Sequence, residues 1–272
     1  MNTIKGSINV ITGCGSGLGL ATLKRFLEQG SGPILGIDRK FTKDYESNLN
    51  LQADQRDKLV LKQHNTFDHD VESSIEEFSK NFGTIDNLIN VAGVAMAFTL
   101  TQKSGEIYKL ANAQDLIQFN TLGTFNVISA ASRYMVNPHA TDNGRTKCII
   151  NTSCISTTKP SVGQSFYAGS KAALDSMTLS IARDLSGYNI RCNTINVGYF
   201  DTPLLRNGSS GAICDYLATN MVLCPRRLGT PEEFAHLVQS MIENQMLNGC
   251  CIKLDGLCEP AQDRPVGKWA GT

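Results

Sequence analysis

Short apolar runs alternate with amphipathic stretches along nearly the whole chain. Ile8 to Thr12, Ile34 to Asp38, Lys58 to Lys62, Ile85 to Val91, Cys148 to Thr152, Ile190 to Asn196 and Cys251 to Leu254 read as strands. Each is a short run of mainly apolar residues, as expected of a strand buried on both faces. Between them, apolar residues recur at three-or-four spacing. This predicts helices over Leu20 to Gln29, Glu72 to Phe82, Gln114 to Met135, the segment opening at Phe166 and running to Leu185, and Pro231 to Ile242, where proline marks the start. A further helix is predicted around Ala212 to Met221, inside a loop rich in Gly and Ser. Phe41 to Arg56 reads as loop with some helix, and Ala95 to Asn112 as an irregular insertion. Strand and helix in alternation predict an α/β fold, a single-domain, Rossmann-type, doubly wound parallel sheet. Ligands then bind at the carboxyl ends of the strands. The expected domain is 1–260, with a loose tail over 261–272.

Chemistry gathers at those strand ends. The first strand runs into T-G-C-G-S-G-L-G, with Gly13, Gly17 and Gly19 at T-G-x-x-x-G-x-G spacing, and then into a helix. A helix N-terminus offers free N–H groups and a positive dipole end to a pyrophosphate, and glycines let backbone approach it. Asp38, at the end of the second strand and 19 residues past Gly19, can accept from both adenosine ribose hydroxyls and repels a 2′-phosphate. That favours NAD over NADP, although the adjacent Arg39 could pair with a phosphate. The fourth strand ends in N-V-A-G, Asn90 to Gly93, small enough for a cofactor to lie against it. In F-Y-A-G-S-K, Tyr167 and Lys171 are four apart, so a helix places them on one face. A lysine ammonium there would stabilise the phenolate of a group whose free pKa is near ~10.

Composition narrows the alternatives. With 25 basic and 25 acidic residues, no charge surplus points to nucleic acid or an acidic tail. No stretch approaches the ~18 uninterrupted apolar residues of a membrane span. Nine cysteines, with no C-x-x-C pair, fit neither a fully paired disulfide framework nor a metal site. They suggest a reducing compartment. His64, His69, His139 and His236 have no zinc-ligand spacing. The first strand begins too near Met1 for a cleavable signal to be expected.

Together, the glycine turn at Thr12 to Gly19, N-V-A-G at Asn90 to Gly93, Asn120 and Y-x-x-x-K at Tyr167 to Lys171 resemble the short-chain dehydrogenase/reductase family, in order and distance, over the chain to about Pro260. Runs such as L-G-T-F-N-V-I, S-V-G-Q, S-I-A-R-D-L and T-P-L-L are similar to its 3-hydroxyacyl-CoA and hydroxysteroid dehydrogenase branch. The resemblance implies Tyr167 as acid/base, Lys171 as its assistant and ribose anchor, and Asn120 as anchor of a water relay. Besides the glycines and Asp38, it implies cofactor contacts from Ser16, Leu18, Asp70, Val71, Asn90, Ala92, Gly93, Tyr167, Lys171, Phe200 and Thr202. It places Gln164 in the substrate site. It also implies NAD as cofactor, an acyl-CoA or steroid-like small-molecule substrate, a homotetramer, and a mitochondrial location, with the cytoplasm as alternative. No metal, membrane or direct nucleic-acid binding is expected.

Two positions depart from the family pattern. The catalytic serine belongs 13 residues before the tyrosine, where this chain has Cys154; Ser153 is one residue early and Ser156 two late. Val197-Gly198 replaces a usual Pro-Gly. A thiol is a weak donor, so these departures also admit another reading. It is an NAD-binding scaffold of little or no activity, such as a subunit of a mitochondrial tRNA-processing complex. A third reading is redox control through Cys154.

Overall fold

The structure is a computed structural model that describes residues 2–102, 104–136 and 145–259. Seven parallel strands form one sheet: β1 (Asn9–Thr12), β2 (Ile34–Asp38), β3 (Leu59–Gln63), β4 (Asn87–Asn90), β5 (Lys147–Cys154), β6 (Ile190–Val197) and β7 (Cys251–Leu254). Their order across the sheet is β3-β2-β1-β4-β5-β6-β7. The chain therefore winds outward one way from β1 and then the other way from β4. The crevice between those two strands is the topological switch point, where such sheets bind ligands.

Alternation along each strand explains why both faces are covered. Val10, Leu88 and Ile149 point into one core; their neighbours Ile11, Ile89 and Ile150 point into the other. The register pairs Val10 with Leu35 and Leu88, and Leu88 with Ile149, so like faces align across four strands. The helices, in chain order, are α1 (Gly17–Glu28), α2 (Ala53–Arg56), α3 (Asp70–Phe82), α4 (Leu110–Leu116), α5 (Gly123–Met135), α6 (Ser165–Leu185), α7 (Pro203–Gly208), α8 (Gly211–Tyr216) and α9 (Pro231–Glu243). α3, α5 and α6 close the first core through Phe78, Val127 and Ile181; α1 and α9 close the second through Phe26 and Phe234. A buried arginine, Arg191 on β6, donates to the carbonyls of Met241, Ile242, Asn244 and Leu247. Its charge thus satisfies the carbonyl end of α9, where the helix dipole favours a cation.

The predicted helix over Gln114 to Met135 is longer and interrupted. α4 and α5 are joined by a π-helical turn at Ile117–Leu122, which contains Asn120. The insertion before α4 is irregular, as its pattern predicts. It is held by rings: Phe98 meets Tyr108 edge-on at 5.5 Å, and Tyr108 stacks on Phe166 at 6.1 Å, beside the start of α6. The loop between β6 and α9 holds α7, α8 and a π-helical turn at Leu217–Met221. These cover a small apolar cluster with Ile155, Cys214 and Leu228, against which Cys154 packs. His139 and the tail beyond Glu259 lie outside the described residues. All nine cysteines are free. Among the described residues no helix is long and apolar enough to cross a membrane, and no three His, Cys, Asp or Glu side chains gather as for a metal.

Candidate active site

The glycine turn is shaped by backbone crowding. Gly13 has φ +70°, and a Cβ there would lie 2.5 Å from the Ala92 nitrogen; one on Gly19 would lie 2.1 Å from the Gly13 oxygen. Only glycine lets β1, the turn and α1 approach this closely. The turn is fixed from beside it. The Asp38 carboxylate accepts from Gly15 N–H at 2.8 Å and Lys40 N–H at 3.1 Å, and Tyr45 donates to the Cys14 carbonyl at 2.7 Å. Thr12 Oγ1 accepts from the Val91 and Ala92 amides, which locks the end of β1 to the end of β4.

A cleft of about 480 Å³ opens over this turn at the switch point. Gly13, Ser16, Gly17, Leu18, Asp38, Ala92, Gly93 and Thr202 line it. Gly19 sits behind the turn as a packing contact. Asn90 is buried in β4, its amide donating to Asn151 Oδ1 at 3.0 Å. Phe200 packs in the core cluster of α1 and α9. Asp70 and Val71 are not brought to the cleft. Asp70 is exposed at the start of α3, and Val71 is fully buried in the core beneath that helix. Asn65 and Thr66, two and three residues past the end of β3, line the cleft instead. Counting residues from the strand end finds them; the look of the Asp-Val pair does not. Arg39 and His64 also line it.

Beyond the cleft, three elements bring polar groups together. The π turn turns Asn120 inward, where it is completely buried. Its Oδ1 accepts from Val94 N–H at 2.8 Å, and its Nδ2 donates to the Val94 carbonyl at 2.9 Å and to Ser170 Oγ at 3.0 Å. Ser170, a residue the sequence did not single out, in turn donates to the Tyr167 carbonyl at 2.7 Å. Lys171, 5 % exposed, donates from Nζ to the Thr152 carbonyl at 3.0 Å. Asn120 Oδ1 and Lys171 Nζ converge on Gly93: a Cβ there would lie 3.0 Å from each. Burial lowers the Lys171 pKa to about 8, while Cys154 and Asp175 oppose the fall. Burial pushes the Tyr167 phenol well above its ordinary value. Its hydrogen bond with Cys154, and Tyr199 nearby, push the same way.

The two candidate serines beside Cys154 are accounted for. Ser153 is turned to the α6 side, where its Oγ donates to the Lys171 carbonyl at 3.1 Å. A one-residue offset in a strand reverses the face, so Ser153 does not stand in for the residue beside it. Ser156 is buried; its N–H donates to Cys154 Sγ at 3.5 Å. Thus Cys154 itself faces Tyr167. Val197 keeps its place at the end of β6, pairing with Leu254 of β7, and Gly198 follows it close to Asp255. Gln164 immediately precedes α6, three residues before Tyr167, and its Oε1 accepts from Ser161 N–H at 3.0 Å in the turn before the helix.

This geometry agrees with known proteins over most of the chain. Human 3-hydroxyacyl-CoA dehydrogenase type-2 is 38 % identical over 261 residues, covering 93 % of this chain and 95 % of that protein. Ipsdienol dehydrogenase of Ips pini is 32 % identical over 267 residues, covering 96 % and 100 %. Among solved structures, 3-hydroxyacyl-CoA dehydrogenase type-2 of Mycobacterium avium superposes with a TM-score of 0.80 at 28 % identity, covering 93 % of this chain and 96 % of that one. Residues 7–212 match the profile of the family described as short chain dehydrogenase, and the chain belongs to that family of oxidoreductases.

Proposed function

We propose that this oxidoreductase is NAD-dependent and interconverts a hydroxyl and a carbonyl on a 3-hydroxyacyl-CoA-like substrate. The observation that carries the reading is the convergence of Asn120 and Lys171 on Gly93, with Tyr167 one helical turn from Lys171 on the same face of α6. The residues present fit a dinucleotide. Gly13, Gly15 and Gly19 have no room for a Cβ, which keeps the turn tight enough for backbone to approach a pyrophosphate, and Asp38 offers a carboxylate at the cleft wall. Ser16, Gly17, Leu18 and Thr202 would hold the phosphates and their surroundings, Ala92 and Gly93 the middle, and Lys171 the nicotinamide ribose. A nicotinamide dinucleotide held by these residues would supply the hydride acceptor for oxidation of the carbinol carbon and the hydride donor for the reverse.

The chain supplies the proton and the orientation. In the reducing direction the Tyr167 phenol gives its proton to the developing alkoxide oxygen; in the oxidising direction the phenolate takes the hydroxyl proton. The Lys171 ammonium favours the phenolate, and Asn120 fixes the Val94 backbone and α6 around both. With its pKa raised, Tyr167 is a phenol at neutral pH, which suits carbonyl reduction. Cys154 occupies the position that polarises the carbonyl, as a weaker donor than a hydroxyl. The names of the relatives support a 3-hydroxyacyl-CoA substrate, and the intact Tyr167–Lys171–Asn120 set supports turnover over a purely scaffolding role.

Two measurements test the reading. Tyr167→Phe removes the transferred proton and leaves the cleft intact. Activity with acetoacetyl-CoA and NADH is expected to fall by at least about 10², with NADH binding unchanged; unaltered turnover would contradict the assignment. Asp38 predicts tighter binding of NADH than NADPH by fluorescence titration, and the reverse order would overturn the cofactor choice.

A further inference from the structure

The dehydrogenase reading leaves one charged group at the site unexplained. Asp175 lies on α6 four residues past Lys171, on the same face of the helix. Its Oδ2 accepts from Asn196 Nδ2 at 2.7 Å, and Asn196, buried on β6, also donates to Thr157 Oγ1 at 3.1 Å. This pins the carboxylate between α6, the end of β6 and the turn that follows Cys154. Yet Asp175 Oδ1 and Asn196 Oδ1 are both buried acceptors with no hydrogen-bond partner among the described residues. A carboxylate held this way without a full set of donors is costly unless a cation lies near. The cation at hand is Lys171, which uses one of its three donors, on the Thr152 carbonyl. Among the described residues the two form no direct ion pair, so the charge acts through space within a poorly solvated site.

We propose that Asp175 is the fixed counter-charge of Lys171, a positioning residue that keeps the lysine protonated behind Tyr167. The inference deepens the dehydrogenase reading and uses its assignment of Tyr167 and Lys171. Among the described residues, Cys154 at the end of β5 acts on Lys171, Tyr167 lies one turn before it on α6, and Cys251 on β7 donates to the Asp175 backbone carbonyl. Cys154 and, after it, Asp175 raise the lysine pKa against burial, and of these Asp175 is the carboxylate. Removing its charge leaves desolvation less opposed, so the lysine loses its proton at lower pH.

The test reads Lys171 directly, in protein without cofactor or substrate. The ε-methylene of ¹³C-labelled lysine is followed by NMR against pH and assigned by its loss in Lys171→Arg. The wild type is expected to titrate near pH 8. Asp175→Asn and Asp175→Ser are expected to lower that midpoint by about one pH unit or more, and Asp175→Glu to leave it near the wild-type value. Two neutral variants are used so that loss of folding in one, judged by far-UV circular dichroism, leaves the other to decide. A folded neutral variant with the wild-type midpoint would overturn the proposal. In the oxidising direction, the acid limb of kcat should move to higher pH in the neutral variants and return in Asp175→Glu. A shifted lysine titration in a wild-type protein that never turns over would uphold the pairing and remove the dehydrogenase reading instead.

Discussion

At the scale of single residues, the site is a contest between burial and charge. Lys171 is almost fully enclosed, and burial draws its pKa to about 8, so its ammonium is present below that pH and lost above it. If the ammonium is what makes Tyr167 useful, the rate of carbonyl reduction holds steady up to about pH 8 and declines beyond it. A steady-state pH profile checks this, and a rate still rising at pH 9 would contradict it. Cys154 is the other decisive residue. Its neighbour Ser153 is tied to the Lys171 carbonyl and offers nothing to a substrate oxygen. In the proposed reaction the thiol therefore stands alone beside the substrate oxygen, and the scaffold reading suggested by the sequence depends on how much that weak donor costs.

At the scale of elements, what positions the site is a set of close backbone approaches. Gly13→Ala forces a side chain into a left-handed backbone at about 1–3 kcal/mol, before its collision with the Ala92 nitrogen is counted. We expect a lower urea midpoint and loss of NADH binding; an alanine variant that binds NADH as the wild type does would refute this account of the turn. The capping box at α9, where Thr230 and Glu233 satisfy each other and Arg227 pairs with Glu233, has no such ligand role. Thr230→Ala should cost about 0.5–2 kcal/mol of stability in urea and leave NADH binding untouched. Element identity was legible in the sequence wherever hydrophobic alternation was strong. β2 and β7 begin and end where their apolar runs do. The π turn around Asn120 was not legible, because its residues keep the same apolar spacing as the α-helices on either side. Asp70 and Val71 misled for a related reason. An acid followed by valine looks like a strand end near a cofactor, but β3 stops at Gln63, and the valine belongs to the core face of α3.

At the scale of the whole molecule, one side remains unexplained by a lone chain. Around α4, the π turn and the start of α6, a cavity of about 620 Å³ is lined by Leu110, Ile117, Leu122 and Phe166, and Leu110 and Leu122 are more than half exposed. Monomers seldom leave such patches in water. We propose that a second copy covers it within the expected homotetramer. Leu122→Glu should then lower the mass measured by light scattering, and a wild-type protein that is already monomeric would contradict the assembly. The resemblance in sequence made the fold and the family readable together. The substrate was less so, because the loop of α7 and α8 that closes on Cys154 carries no motif of fixed spacing.

The central claim is that this chain performs chemistry with the residues it holds, cysteine included. Its most direct test is NADH oxidation with acetoacetyl-CoA by the wild type and Cys154→Ser, with NADH affinity measured on both. We predict measurable turnover by the wild type, an increase on the order of 10² in the serine variant as a stronger donor is restored, and equal NADH affinity. NADH binding with no turnover in the wild type would contradict the claim and leave a cofactor-binding scaffold in its place.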